Sequence, residues 1–376
     1  MIGVKTRGAV LRKAPGAYEV VELDLAEPLQ GELMMKMVGS GLCHTDDHVA
    51  TGDMPYGIHP VCGGHEGAGI VTQVGPHTAG WAEGDHVVFS FLPVCGKCRW
   101  CAHGMQNLRD RGAGLLTGGR LTDPPTYRMS LEGRHVGQFF DLATFSEYTT
   151  VDVDNAVEVP ADAPLETVCL LGCGAGTGWG SAVNSANPYP GDTVIVMGVG
   201  GIGMNAVQGA VQTGAGNIIA VDPVAFKRET AKQFGATHTT ESIDEATDLA
   251  KQFTNGLGAD ATIVTVDVTR PAHVAQAFDS IRKAETVVVT GVGNANDLDL
   301  TLSIFEMTTY QKRLQGSLFG ASNPTADIPW LLETCREGLL KLDELVTSRY
   351  QVDEINRGYA DMHAGKDIRG VLDFGQ

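Results

Sequence analysis

Long apolar runs are missing from this chain of 376 residues. Its longest, such as VIVMGV and TVVVTGV, fall far short of the roughly 20 residues that cross a bilayer. The opening MIGVKTRGAVLRKAPG has no apolar stretch of the kind a secretory leader carries, so a soluble, cytoplasmic protein without a membrane partner is expected. Basic residues are scarce. Against 45 Asp and Glu there are 27 Lys and Arg, a formal charge of −18, which repels polyanions and argues against nucleic acid as a partner. No collagen period, low-complexity tract or internal repeat is present.

Glycine is plentiful, with 48 residues, near twice the usual share of about 7%. That excess implies tight turns and close backbone approaches. The chain is also longer than one hydrophobic core usually supports, which predicts two domains. Eight cysteines are present, and in a reducing compartment clustered cysteines more often bind metal or do chemistry than form disulfides.

From about Pro188 onward, short apolar runs alternate with amphipathic stretches: TVIVM, a helical pattern to Gly214, NIIAVD, KRETAKQFGA, ATIVTVD, AHVAQAFDSIRK and ETVVVTGVG. Continuous β-branched runs with intervening helices predict a doubly wound, Rossmann-type parallel sheet covered on both faces. Before residue 174 the texture is that of a mostly β domain, with alternating strands, glycine turns and loops carrying Cys and His. The last stretch, from about Leu318, is too short to stand alone and is expected to pack back onto the first part. The predicted domains are therefore 1–174 completed by 318–376, and 175–317.

Gly198, Gly200 and Gly203, with Gly201 and Ile202 between them, form GVGGIG directly after TVIVM, and Asp222 ends the next apolar run. In a strand–turn–helix context the first glycine makes the turn, the second lets a pyrophosphate approach, and the third lets helix and strand pack closely. A carboxylate at Asp222 bonds a ribose 2′-hydroxyl and repels a 2′-phosphate, which favours NAD over NADP. Lys227 is either an adenosine-ribose contact or a solvated surface lysine.

Cys43 in GLCHTDDH, His65 and Glu66 in GGHEGAGIV, and Cys173 in LGCGAGTGWGSA carry metal-ligand chemistry. Two thiolates and one imidazole make a three-ligand set that leaves the fourth position of zinc open for a substrate oxygen. Cys95, Cys98 and Cys101 form a doubled CxxC run, and eight residues on stands Arg109. Arginine stays protonated and offers no lone pair. Cys62, Cys169 and Cys335 have no partner at metal spacing and read as buried small residues.

With GHEGAGIV, the doubled CxxC, GxGxxG with Asp222 and the ending IRGVLDF in this order, the chain resembles the zinc-dependent medium-chain alcohol dehydrogenases over its whole length. The phrases GCGAGTGWGSAV, VMGVGGIGMNAVQGA, VDPVAFKRE and KRLQGSLFG more narrowly resemble the NDMA-dependent, nicotinoprotein branch, whose members hold NAD as a prosthetic group. The resemblance implies a GroES-like catalytic domain beside the Rossmann domain. It implies that Cys43, His65 and Cys173 bind a catalytic zinc, that Asp46 stands behind His65, and that Glu66 approaches the metal from the side away from substrate. Thr45 would take up the substrate hydroxyl proton and His48 would pass it to solvent. His44 and Arg369 would face the pyrophosphate, Thr177 and Ile202 would back the nicotinamide ring, and Phe91 would line the substrate pocket.

In the family's structural lobe a fourth cysteine closes a zinc site at the spacing that Arg109 occupies here. Either Asp110 supplies a replacement carboxylate, or the lobe holds no metal and Arg109 acts as counter-ion to a thiolate. The resemblance further implies a homo-oligomer and a small alcohol or aldehyde substrate, with a primary alcohol the default. Loops around Met54, Tyr56, Phe91 and residues 118–145 would set its size. Three other readings stay open: an alcohol dehydrogenase with freely exchanging NAD, a thiol-dependent formaldehyde dehydrogenase, and a non-catalytic nucleotide-sensing protein, against which the Thr45 and His48 proton relay argues.

Overall fold

The computed structural model describes residues 2–120 and 125–375; part of the 118–145 segment expected to shape the substrate pocket lies outside the described residues. Two compact units are present, Met1–Cys173 with Asn323–Gln376, and Gly174–Ser322.

In the first unit, strands Ile2–Leu11, Tyr18–Ala26, Met129–Leu131, Arg134–Gln138 and Val61–Cys62 form a closed barrel. Its interior is packed by Val10, Leu23, Leu25, Met129 and Val136. A second sheet runs in the order Ala156–Val159, His86–Phe89, Glu66–Val74, Glu32–Gly41, Arg369–Asp373, Val346–Tyr350, with Tyr148–Asp152 also paired to Glu32–Gly41. The C-terminal strand is thus built into the N-terminal sheet, antiparallel to its central strand. Gly41 lies opposite Glu66 on one side and Val371 on the other. A side chain at Gly41 would collide with Glu66 and Arg369, so glycine here leaves room for two charged groups to meet.

In the second unit six parallel strands are ordered His238–Thr240, Asn217–Val221, Thr193–Met197, Ala259–Val264, Ile281–Val289, Arg313–Gly316. Numbered along this unit the order is third, second, first, fourth, fifth, sixth, which is that of a dinucleotide-binding Rossmann sheet. Every residue of Thr193–Met197 is buried, as expected for a strand covered on both faces. Ile195, Ile219, Val264, Phe278 and Val287 belong to its core. Where a helix was expected to continue to Lys283, it stops at Ser280 and a strand begins at Ile281. There Ile281 pairs with Ala259 of the neighbouring strand, and Arg282 makes an ion pair with Asp260.

The 3-10 turn Leu318–Ala321 belongs to this unit, because Gly180 and Gly320 meet backbone to backbone and Asn184 Nδ2 donates to the Gly320 carbonyl at 3.0 Å. No helix among the described residues is long and apolar enough to cross a membrane.

Candidate functional site

Three chain breaks in regular structure deliver the metal-ligand side chains of the first unit. Cys43 follows strand Glu32–Gly41 and caps the helix His44–Thr51. His65 precedes strand Glu66–Val74, and Cys173 ends the 3-10 turn Cys169–Gly172. One ligand atom from each of Cys43, His65, Glu66 and Cys173 lies within 4.8 Å of the others, and all four residues are buried. His65 Nδ1 faces Asp46 Oδ2 at 2.9 Å. The second carboxylate oxygen of Asp46 accepts the Gly64 amide at 2.8 Å. Nε2, at the other side of the His65 ring, is buried with no hydrogen-bond partner among the described residues. A buried imidazole nitrogen left without a partner beside two thiols is what a thiophilic divalent cation requires, so these residues fit zinc.

The protons in this cluster are shared unevenly. The hydrogen bond with Cys173 is the main influence holding the Cys43 thiol well below its ordinary range, against burial and with help from His65 and Arg369. That same hydrogen bond, together with burial, pushes Cys173 well up. Burial alone would lower His65, yet the charges of Asp46 and Cys43 outweigh it and raise His65 well above its usual value. Burial raises Asp46 despite the imidazole beside it. A metal ion competes with these protons for the same lone pairs.

Replacing Asp46 by Asn preserves shape and removes the charge that orients His65. Asp46→Asn is expected to lower zinc affinity about 10–100-fold, read by titration against a chromogenic chelator. An unchanged affinity would leave Asp46 a purely structural group.

Glu66 does not stand alone. Arg369 Nη2 pairs with its carboxylate and also donates to the Leu42 carbonyl at 3.2 Å. Both side chains are buried, at 0% and 6% exposure. Arg369, expected at a pyrophosphate, makes this buried pair with Glu66. Burial still raises the Glu66 carboxyl, with Arg369 opposing.

Thr45 and His48 lie on the helix that Cys43 caps. The Thr45 hydroxyl is 3.5 Å from the Cys43 sulfur, and His48 Nδ1 is 3.7 Å from Asp53. His44, the first residue of this helix, is half-buried. Phe91 meets the His65 ring edge-on at 5.7 Å. Two further aromatics, Phe139 and Phe140, stand at 5.5 and 5.4 Å from the same ring, and the Tyr56 ring lies 5.2 Å from Phe139. Sequence reasoning singled out neither Phe139 nor Phe140. They reach the site through a turn with positive φ at Phe140, Asp141 and Ala143, and paired aromatics in GQFFDLA were the available signal.

In the second unit Gly198 has φ of 91°, and Gly200 precedes the helix Gly201–Gln212 in extended conformation. A Cβ at Gly203 would strike the Gly198 carbonyl, whereas one at Gly200 would meet open space. The Thr265 hydroxyl props the turn from below, donating to the Gly198 carbonyl at 2.6 Å. Asp222 follows the next strand, and its carboxylate accepts the amides of Val199 at 3.1 Å and Val224 at 2.9 Å. It therefore braces the glycine loop. Ile202 sits in the first turn of this helix, Thr177 is buried in the helix Gly174–Gly180, and Lys227 is half-buried on the helix Ala225–Gln233.

The sulfurs of Cys95, Cys98 and Cys101 lie within 4.8 Å of one another. Asp110, one of the two alternatives for this lobe, is not among them; it accepts the Trp100 indole N–H at 2.6 Å. The Arg109 guanidinium reaches Asp154 at 2.7 Å. Burial alone would lower its pKa, but the hydrogen bond and charge of Asp154, with lesser help from Cys95 and Cys101, raise it. Backbone amides from Lys97, then Cys98, and the Arg109 charge lower the Cys95 thiol to about 7. Three thiols beside a fixed cation do not fit a closed four-ligand zinc site. Cys62 and Cys169 are buried and burial raises both thiols, Cys62 to about 12. Cys335 is half-buried.

Known proteins share this construction. A family model described as "Alcohol dehydrogenase GroES-like domain" matches residues 29–161, and one described as "Zinc-binding dehydrogenase" matches residues 201–337. The chain is 47% identical over 369 residues to the "NDMA-dependent alcohol dehydrogenase" of Amycolatopsis methanolica, covering 98% of this chain and 99% of that one. It is 44% identical over 371 residues to "Alcohol dehydrogenase B" of Mycobacterium tuberculosis, covering 99% of each. Among solved structures, an "Alcohol dehydrogenase zinc-binding domain protein" from Burkholderia ambifaria superposes with a TM-score of 0.92 at 31% identity, over 99% of this chain and 100% of that one. Two domain models matched in chain order, relatives alike from end to end and a buried thiol–imidazole cluster agree: the chain belongs to the zinc-dependent medium-chain alcohol dehydrogenase family.

Proposed function

We propose that this alcohol dehydrogenase oxidises a primary alcohol to its aldehyde by hydride transfer to an NAD that stays bound through turnover, a second substrate then taking the hydride. The buried set Cys43, His65 and Cys173, with Nε2 of His65 lacking a partner, carries the reading. Zinc held by these residues would supply Lewis acidity toward a substrate hydroxyl, and NAD would supply the hydride acceptor.

The chain's own residues do the rest. Cys43, His65 and Cys173 hold the metal, and Asp46 fixes the tautomer of His65. Thr45 takes the hydroxyl proton in a hydrogen bond and His48 passes it to solvent. Glu66, neutralised by Arg369, lies within reach of the metal-binding atoms. Phe91, Phe139 and Phe140 give the site an apolar wall on the His65 side, suited to holding the carbon chain of an alcohol and excluding water. In the second unit the Gly198–Gly203 turn takes the pyrophosphate and Asp222 reads the ribose, with Thr177, Ile202 and Lys227 as further cofactor contacts; His44 and Arg369 of the first unit are pyrophosphate contacts. The two units act as catalytic and NAD-binding domains.

Retention of NAD is supported by the 47% likeness to a relative named for its dependence on NDMA. A homo-oligomer belongs to the same proposal. The sheet of the second unit ends in the edge strand Arg313–Gly316, and Leu298, Ile304 and Phe305 of this unit are 84%, 78% and 68% exposed, the kind of edge and apolar surface that chains cover by association.

The test is an alcohol screen with nitrosodimethylaniline as acceptor and no added NAD, on protein passed through gel filtration and dialysis. Turnover together with a retained nicotinamide absorbance is expected. Activity appearing only with added NAD would replace bound cofactor by exchanging cofactor, and activity appearing only with a low-molecular-weight thiol would replace the substrate class.

A further inference from the structure

The doubled CxxC run is left over once the dehydrogenase site is built, and the arrangement of its sulfurs is informative. Cys98 caps the single helical turn Arg99–Ala102, and Cys101 lies on that turn. The Cys98 thiol hydrogen-bonds to the Cys101 sulfur at 3.5 Å. Cys95 and Cys98 are half-exposed, whereas Cys101 is buried, at 7%. An accessible thiol three residues ahead of a buried one, with the two sulfurs facing each other, is the arrangement of a dithiol that attacks with one sulfur and resolves with the other.

The lobe is held by ion pairs and backbone hydrogen bonds. Arg109 Nη1 pairs with Asp154 at 2.7 Å, and Arg111 pairs with Asp152 at 2.7 Å and Asp154 at 3.4 Å. Val94 donates its amide to the Asp154 carbonyl at 2.7 Å, and Met105 donates to the Trp100 carbonyl at 2.9 Å. The contacts of Val94, Arg109 and Arg111 tie both ends of the cysteine loop to Asp152 and Asp154. The guanidinium at the fourth position then acts doubly: it blocks closure around a cation and leaves the thiols uncommitted.

We propose that Cys98 and Cys101 form a reversible redox site, oxidised to a disulfide by a hydroperoxide and returned to the dithiol by a low-molecular-weight thiol. In the first step the Cys98 sulfur attacks the peroxide, an S–O bond forms, the O–O bond breaks, and an alcohol or water leaves with one proton. In the second step the Cys101 sulfur attacks the Cys98 sulfenic acid, an S–S bond forms, the S–O bond breaks, and water leaves. The two thiols together lose two electrons and two protons, and the peroxide gains both. Thiol–disulfide exchange with two molecules of the small thiol reverses the change through a mixed disulfide. The pair Cys43 and Cys173 is set apart from this chemistry by its enclosure, at 7% and 6% exposure, and by its place in the metal cluster.

The experiment uses the purified full-length protein, treated with hydrogen peroxide, blocked with iodoacetamide and mapped by non-reducing peptide mass spectrometry, with zinc measured in parallel. A Cys98–Cys101 link, the loss of two alkylatable thiols and full recovery with dithiothreitol are expected. In Cys101→Ser the link disappears and dimedone labels Cys98. If that variant does not fold, Cys98→Ser serves instead, with Cys101 remaining alkylatable after peroxide. Arg109→Cys, which restores a fourth thiolate, is expected to retain an additional zinc and to lose the peroxide-induced link. The proposal is overturned if the wild-type lobe retains zinc through dialysis and is thereby shielded, if Cys98 is oxidised no faster than the half-buried Cys335, or if the link joins Cys95 instead. Zinc and turnover at Cys43 are measured separately, so failure at the lobe leaves the dehydrogenase reading standing.

Discussion

Cys43→Ala is expected to lose the active-site zinc and to slow alcohol oxidation by about 10³–10⁵-fold, because a Lewis acid supplies several kcal/mol of transition-state stabilisation and each ~1.4 kcal/mol is tenfold. The site cannot compensate. One ligand atom each from Cys43, His65, Glu66 and Cys173 gathers within 4.8 Å, and removal of one thiol leaves Cys173 and His65 as the remaining soft donors. The Glu66 carboxylate is already paired with Arg369. The His65 Nε2 that had no partner among the described residues then loses the metal that would satisfy it. Metal analysis and a steady-state assay with an artificial acceptor check the outcome, with the circular dichroism spectrum confirming that the variant is folded. A variant that keeps tightly held zinc and wild-type turnover would remove Cys43 from the mechanism.

Arg369→Met is expected to destabilise the protein by about 3–5 kcal/mol, the usual cost of leaving one partner of a buried ion pair uncompensated. Glu66 is fully buried and its pair is with Arg369. Burial raises its carboxyl even with the guanidinium opposing, and without the guanidinium it rises further. The sign of the pH dependence follows. A carboxyl whose folded pKa lies above its unfolded value of about 4.3 costs stability in full above the folded pKa, and the cost fades as pH falls from the folded pKa to the unfolded one. The deficit of the variant is therefore largest at neutral and alkaline pH and shrinks under acid conditions. Urea unfolding of both proteins at mildly acid and mildly alkaline pH measures this, and a deficit that grows on acidification would contradict it. Arg369→Met also enlarges the negative charge felt by Cys43, which the Arg369 guanidinium helps hold as a thiolate.

Much of the fold was legible because the two units obey different local rules. Strands covered on both faces, such as Thr193–Met197, need apolar side chains at every position, and the glycine turn that follows must leave a strand and open a helix. Those constraints act over a few residues and so appear in the sequence. The barrel and second sheet were legible only as a texture of alternation and turns. Where local signals conflict the outcome was decided elsewhere: Ile281–Lys283 continue an apparently helical pattern, yet they lie in a strand that pairs at Ile281 with Ala259.

The same contrast runs through the site. Chemistry-bearing residues such as Cys43, His65, Cys173, Thr45 and His48 stand in short phrases that could be read one at a time. Their neighbours could not. Arg369 is 303 residues from Glu66, and the pairing exists because the last strand is inserted beside Glu32–Gly41, with glycine at position 41 leaving the space. Phe139 and Phe140 reach His65 through a turn of positive φ that no propensity announces.

The sequence by itself determined the family, the cofactor motif and the absence of a thiol at position 109, since each of these is a matter of which atoms are present at which spacing. Only the tertiary structure decided what Arg109 does: it pairs with Asp154 across 45 residues while Asp110 turns to the Trp100 indole. A charge takes the partner that folding brings within reach, and that partner is set by the packing of distant strands.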